Sequence, residues 1–241
     1  MKPDILGIIP ARGGSKGIIG KNIRQMCGKP LIYYAVNLAQ QLKRENLITD
    51  YLVSTDSEQI ANVVKSFGAE VPFLRPGHLA GDNSPVIDTI IHAVNGWEKN
   101  QGKKIHSVLL LQPTNPLTVF SDVEKAILYY LSLQPGADSL ISISNAEHIR
   151  LPTLYYKKGN RLVQVEKNAV PNVNRQKIKS LFWRNGAIYL SRRDLLLKKK
   201  RVLGPNPYYF EMPRMRSLTI DDLFDWEMAE WMMKYGSRDP S

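Results

Sequence analysis

A single cysteine, Cys27, stands in 241 residues, so no disulfide can form within the chain. Its expected role is packing. The four histidines, His78, His92, His106 and His148, are scattered and offer no zinc-ligand spacing. No apolar run reaches membrane-spanning length, and Met1-Lys2-Pro3-Asp4 leads straight into a short strand and not into the apolar core of a secretory signal. The expectation is a soluble, cytoplasmic protein with no membrane partner. Two common phosphate loops are also missing. Gly20-Lys21 is followed by Asn22 and Gly28-Lys29 by Pro30, where the Walker pattern needs Ser or Thr. No G-x-G-x-x-G follows the first strand. No Asp-x-Asp occurs anywhere, which weighs against a nucleotide-sugar glycosyltransferase holding its metal through such a pair.

What is present is a net charge of +11 that is concentrated in one place. Residues 157–201 carry fourteen Lys or Arg against Glu166 and Asp194, while the rest of the chain is nearly balanced. Such a patch can neutralise nucleic-acid phosphates, with Tyr155, Tyr156, Phe182 and Trp183 available for stacking on bases, but apolar strand packing explains those aromatics more simply and no nucleic-acid partner is expected. It can equally draw a nucleoside triphosphate and an acidic co-substrate into a cleft. A solvated face is the third reading and the preferred one for Lys198-Lys199-Lys200-Arg201. The apolar content of 43% suffices for a packed core.

The pattern along the chain alternates strand and helix. Ile5–Ile9 is a short apolar strand. Pro30 suits the first position of a helix whose stripe is Leu31, Tyr34, Ala35, Leu38, Ala39 and Leu42. Tyr51–Thr55 follows as a buried strand, and Thr55 with Glu58 makes a capping-box pattern before Ile60, Val63, Val64 and Phe67, which Gly68 closes. Val71–Leu74 is expected to be a strand, with Ser84 and Pro85 as cap and first residue of the next helix. Ser107–Leu111 is apolar enough for burial on both faces. Ser121 and Glu124 are expected to cap a helix, and Ser139–Ile143 to form another strand. From residue 146 to about 182 the rhythm loosens into an inserted basic arm with short strands at Leu154–Tyr156 and Leu162–Val165. Gly186–Leu190 resumes a buried strand, Tyr208–Glu211 and Ser217–Ile220 look extended, and Leu223–Tyr235 is an apolar-rich last helix. The expectation is one α/β domain over 1–235, a mainly parallel doubly wound sheet, with residues 236–241 as a frayed tail.

The candidate chemistry sits in loops after strands. Pro10 to Asn22 packs four glycines with Arg12, Lys16 and Lys21 just past the first strand. Glycines let main-chain N–H groups approach phosphate oxygens, and the cations supply countercharge. A triphosphate travels with Mg²⁺, which needs a carboxylate nearby. Asp221 and Asp222, between a strand and a helix, suit either a magnesium ligand or a helix N-cap. Arg75 opens a Gly- and Pro-rich segment, as a nucleotide contact or a surface cation. Gln112, Thr114 and Asn115, stiffened by Pro113 and Pro116, offer donors and acceptors for hydroxyl and amide groups of a sugar, or form plain turns. The planar fork of Arg175 suits a carboxylate or a free surface position.

Taken in order, Ile9-Pro10-Ala11-Arg12-Gly13-Gly14-Ser15-Lys16-Gly17 with Lys21-Asn22, Val53-Ser54-Thr55-Asp56, Val71-Pro72-Phe73-Leu74-Arg75-Pro76, Leu110-Leu111-Gln112-Pro113-Thr114, Asn185-Gly186-Ala187-Ile188-Tyr189 and Ile220-Asp221 resemble the acylneuraminate cytidylyltransferases over nearly the whole chain. The resemblance implies a Rossmann-like nucleotidyltransferase fold and a homodimer whose inserted arm packs on the partner. It also implies a reaction in which CTP and a nine-carbon α-keto acid sugar, sialic acid, legionaminic acid or a relative, give CMP-sugar and pyrophosphate. By position it assigns Arg12, Ser15, Lys16 and Lys21 to the phosphates and Asn22 and Arg75 to the cytidine side, with Ala11, Gly13 and Ser84 completing the nucleotide set. Gln112, Thr114 and Arg175, with Asn115 and Asn185, fall on the sugar side. Asp221 falls on Mg²⁺, and Arg12, Lys21 and Asp221 are the catalytic set. One departure stands out. The family often ends Ser-Ile-Asp-Ile-Asp, and this chain has Ser217-Leu218-Thr219-Ile220-Asp221, which leaves one carboxylate of two.

Overall fold

Ile5–Pro10 (β1) explains why the central strands are apolar at nearly every position. Successive side chains of a strand point to opposite faces, and here both faces are covered: Ile5 and Ile9 enter one core, Leu6 and Ile8 the other. The computed structural model describes residues 4–146, 149, 151–166 and 180–236. After β1 come a two-strand ribbon, β2 (Gln25–Met26) and β3 (Lys29–Pro30), then α1 (Leu31–Arg44), β4 (Asp50–Ser54), α2 (Glu58–Lys65), α3 (Val86–Gln101), β5 (Ser107–Leu111), α4 (Phe120–Ser132) and β6 (Ser139–Asn145). The chain continues through β7 (Tyr155–Lys158), β8 (Arg161–Gln164), β9 (Phe182–Arg192), α5 (Arg193–Leu197), β10 (Tyr208–Glu211) and α6 (Leu223–Tyr235).

Six strands form the central sheet in the order β10, β6, β9, β5, β1, β4. The β1–β4, β1–β5 and β6–β10 pairs are parallel, and β9 runs antiparallel to both neighbours. Helices α1, α2 and α4 cover one face, and α3 and α5 the other. The sheet is therefore mainly parallel and doubly wound, as the alternation predicts. Its C-terminal edge, where Pro10, Ser54 and Leu111 hand over to loops, is the place for a ligand in such a sheet. A third, smaller core of Ile18, Met26, Leu31, Ile220, Trp226 and Ala229 seats α6 beside the first of these loops. Among the described residues no helix is long and apolar enough to cross a membrane.

Several local expectations change. Val71–Leu74 pairs as no strand: the neighbouring backbone bonds, Val53 N–H to Glu70 O and Arg75 N–H to Thr55 O, fall on the residues that flank it, and Pro72 has no N–H for a ladder. Ser217–Ile220 is likewise not a strand. The cap of α2 is Ser57, whose hydroxyl accepts from Ile60 N–H, while Thr55 accepts from Ser57 N–H. Pro30, Pro85 and Val119 are the N-caps of α1, α3 and α4, so Ser84 and Ser121 do not cap. Cys27 does not pack. It is exposed at the two-residue tip of the β2–β3 ribbon, where Cys27 and Gly28 have φ of 47° and 80°. The described part of the arm is the β7–β8 hairpin, whose strands pair only with each other. Arg175, in the arm, and 237–241 of the expected tail lie outside the described residues.

Candidate active site

A cleft of about 520 Å³ opens at the C-terminal edge of β1 and β5, within the range of small-molecule sites. Arg12, Ser15, Lys16, Lys21 and Asn22 line it from the loop after β1, Arg75, Asp82, Ser84 and Thr89 from the segment that leads into and begins α3, and Gln112, Pro113, Thr114 and Asp221 line it as well. Four cations thus face the same space as two carboxylates, an excess suited to a polyanion.

The glycine-rich loop after β1 is held from below. Ala11 is buried and its N–H donates to Ser54 O, continuing the β1–β4 ladder by one bond. Asn22, also buried, donates from Nδ2 to Arg12 O at 2.9 Å and fixes the loop's curvature. Gly13 N–H does not point into the cleft; it donates to Asp56 Oδ1 at 2.9 Å. Ala11 and Gly13 are outside the cleft lining. The same Asp56 oxygen accepts from Arg75 Nη2 at 3.4 Å, while Arg75 Nη1 donates to Thr89 Oγ1 at 2.9 Å. Burial lowers the Arg75 pKa from its ordinary value, with Asp56 opposing. Its buried Nε has no protein partner among the described residues. Asp56 therefore ties the glycine loop to a buried cation at the cleft wall. Ser84 lines the cleft, although its hydroxyl donates to His78 O.

Asp221 reaches the cleft because the residue before it is clamped. Ile220 N–H donates to Thr114 O at 2.9 Å, and Ile220 O accepts from Lys21 Nζ at 2.8 Å. Close approach of the glycine-rich loop completes the arrangement: a Cβ on Gly17 would collide with the Asp221 carbonyl oxygen. Burial lowers the Lys21 pKa, partly offset by the nearby charge of Asp221. Asp222 takes the other reading of the acidic pair. It caps α6 by accepting from Asp225 N–H at 3.0 Å, and the Asp225 carboxylate accepts from Asp222 N–H in return.

On the sugar side the expected residues divide. Gln112 and Thr114 line the cleft. Asn115 and Asn185 are buried outside the cleft lining and make internal bonds: Asn115 Nδ2 donates to Asn185 O and Thr219 Oγ1, each at 2.9 Å, while its buried Oδ1 has no partner among the described residues, and Asn185 Nδ2 donates to Ser217 Oγ at 2.9 Å. Their geometry is that of a scaffold joining the Gln112 loop, β9 and the 217–221 segment. A glycine makes this join possible. At Gly186, φ is +76°, and the β6–β9 register shifts between Ile141 and Ile143, which bends β9 toward Asn115.

Sequence reasoning missed Asp56, Thr89 and Asp82. Two signals pointed to Asp56: it ends the Val53-Ser54-Thr55-Asp56 motif of the family resemblance, and it follows β4 at the C-terminal edge of the sheet. Among the described residues no cluster of three or more His, Cys, Asp or Glu could hold a metal unaided.

The cytidylyltransferase family model matches residues 6–232. Post-translational flagellin modification protein B of Campylobacter coli is 30% identical over 231 residues, 96% of this chain and 95% of that protein. CMP-N,N'-diacetyllegionaminic acid synthase of Legionella pneumophila is 31% identical over 237 residues, 95% of this chain and 96% of that one. N-acylneuraminate cytidylyltransferase of Streptococcus agalactiae is 32% identical over 94% of this chain, which spans only 52% of that protein. In fold the chain is similar to a solved CMP:2-keto-3-deoxy-manno-octonic acid synthetase complexed with CTP, with a TM-score of 0.69 at 20% identity, covering 96% of this chain and 99% of the other. The ordered motifs and a match that runs from β1 into α6 agree, and the chain belongs to the cytidylyltransferase family.

Proposed function

We propose that the cleft binds CTP as its magnesium complex together with a nine-carbon α-keto acid sugar and joins them into a CMP-sugar, releasing pyrophosphate. The observation that carries this reading is the clamp on Ile220. It brings the Asp221 carboxylate, the Lys21 ammonium and the uncharged Gln112 and Thr114 into one cleft with the phosphate loop. In the transfer, the anomeric hydroxyl oxygen bonds to the α-phosphorus while the bond from that phosphorus to the bridging oxygen of the β-phosphate breaks. The electron pair leaves with pyrophosphate, and the hydroxyl proton is released. Arg12 and Lys21 stabilise charge growing on the phosphate oxygens, Ser15 and Lys16 orient the outer phosphates, and Asn22, Arg75 and Ser84 form the cytidine side. Gln112 and Thr114 meet hydroxyl or amide groups of the sugar, and Arg175 its carboxylate.

Asp221 suits magnesium because its competitors are occupied. Asp222 is spent on the α6 cap, and the Thr219 hydroxyl donates to Asn185 O at 2.7 Å. One protein carboxylate with phosphate oxygens and waters is an ordinary Mg²⁺ environment. When bound, the ion would neutralise triphosphate charge. The full-length relation to the Legionella synthase supports a legionaminic-type acid as substrate, and the Streptococcus relative supports N-acetylneuraminate. The resemblance to the family supports a homodimer.

The test offers CTP and Mg²⁺ with N,N'-diacetyllegionaminate or N-acetylneuraminate separately and follows CMP-sugar and pyrophosphate. Turnover of one sugar is expected, with a loss of about 100-fold or more in kcat for Asp221→Ala. Absence of CTP binding to the unaltered protein would sink the reading.

A further inference from the structure

Asp82 lies between the 3-10 turn Gly77–Leu79 and α3, across the cleft from the phosphate loop. Its carboxylate is divided between two cations of that loop. Oδ1 accepts from Arg12 Nη1 at 2.8 Å, and Oδ2 faces Lys16 Nζ at 2.7 Å. The hydrogen bond from Lys16 leads the causes that hold the Asp82 carboxyl below the usual carboxylate range. The side chains of Arg12, Lys16 and Asp82 are 37%, 81% and 39% exposed. Ion pairs this wet add little to stability, so holding the fold together is a weak reason for the arrangement.

The position suggests a stronger one. Arg12 and Lys16 are the cations a polyphosphate needs, and a carboxylate within 3 Å of both diminishes the field they offer to another anion. It also supplies a replacement anion at the moment a phosphate leaves, so that neither cation has to be exposed unpaired. We propose that Asp82 is a positioning residue for pyrophosphate release: it competes with the polyphosphate for Arg12 and Lys16 and takes both cations over as the product departs. The inference rests on the reading of the cleft as a CTP site. The carboxylate does not touch the reacting atoms. Its effect is to keep the outer phosphates from being held too tightly.

A merely structural clasp predicts the opposite sign. Without it the two loops would separate, and every phosphate ligand would bind more weakly. The test measures binding of CTP and of inorganic pyrophosphate, each with Mg²⁺, to the full chain and to Asp82→Asn by calorimetry, together with steady-state kinetics. Pyrophosphate is expected to bind about fivefold to tenfold more tightly to the variant, the equivalent of two exposed ion pairs. kcat and the KM for CTP should fall together, and Asp82→Glu should restore release. Weaker or unchanged pyrophosphate binding in Asp82→Asn, with CTP still bound by the unaltered protein, overturns the proposal for Asp82 and leaves the CTP site standing. Failure of the unaltered protein to bind CTP overturns both.

Discussion

At Arg75 one guanidinium does work that no other side chain could divide in the same way. Nη1 goes to Thr89 on α3, Nη2 to Asp56 after β4, and the remaining Nε is buried at the cleft. A lysine has a single nitrogen and cannot serve Thr89 and Asp56 from a fixed planar fork. On the proposed reading of the cleft, where Arg75 lies on the cytidine side and away from the reacting phosphorus, Arg75→Lys is expected to raise the KM for CTP about tenfold with a smaller change in kcat. Initial rates with CTP varied at saturating sugar measure this, and an unchanged KM would remove Arg75 from the nucleotide wall. The residue scale also shows where sequence was legible. Glycines among cations after an apolar strand have few uses, so Arg12, Lys16 and Lys21 could be found. A buried amide that braces a scaffold has the same letter as one that meets a sugar, so the sequence does not tell that Asn115 and Asn185 lie outside the cleft lining. Asp82 and Asp56 were passed over because a carboxylate in a turn is commonplace until the cations opposite it are known.

Between elements, the two helical layers are joined at the sheet edge by Asp50. It opens β4, accepts from Lys43 Nζ of α1 at 2.7 Å and from Trp97 Nε1 of α3 at 2.9 Å, and so links helices on opposite faces. Burial opposes ionisation of this carboxyl, but the hydrogen bonds from Lys43, Trp97 and the Tyr51 N–H outweigh it and hold the pKa below the ordinary value. A depressed folded-state pKa gives stability that is present above the unfolded pKa, about 3.9, and is lost as pH falls through the folded value. Asp50→Ala should cost about 2–3 kcal/mol at pH 7 by urea unfolding. The deficit should shrink in the acid range below pH 4; a deficit independent of pH would mean packing, not charge, does the joining. Element boundaries were less legible than element types. An N-cap for α6 is legible in Asp221-Asp222 before the apolar pattern, but which of the two caps is not; the structure gives the role to Asp222. Thr55 and Glu58 mimicked a capping box, although Ser57, closer to the helix, takes the role. Val71–Leu74 looked like a strand by composition, yet Pro72 cannot join a ladder and β4 remains the edge.

For the whole molecule, α6 explains why its sequence is apolar on more than one side. Trp226, Ala229 and Met233 pack inward. Phe224, Met228, Trp231 and Tyr235, spaced four, three and four apart, form a second stripe that is 69%, 40%, 56% and 60% exposed. Met228 and Met232 also wall a second cleft of about 550 Å³ with Trp183, Met215 and Leu218. The β7–β8 hairpin leaves Tyr155, Tyr156, Leu162 and Val163 exposed as well. In the homodimer proposed above, two apolar surfaces on one chain would satisfy each other twice about a two-fold axis, hairpin of one copy against the α6 stripe of the other. Light scattering is thus expected to give twice the chain mass. Trp231→Asp, which places a charge in the middle of the stripe, should give the monomer. Because Trp231 is not among the residues that line the cleft, the monomer should bind CTP with the same affinity by calorimetry. Sugar turnover should fall if the arm of the partner completes the sugar side. A Trp231→Asp protein that keeps twice the chain mass would show that the copies meet elsewhere and that the second stripe serves another purpose.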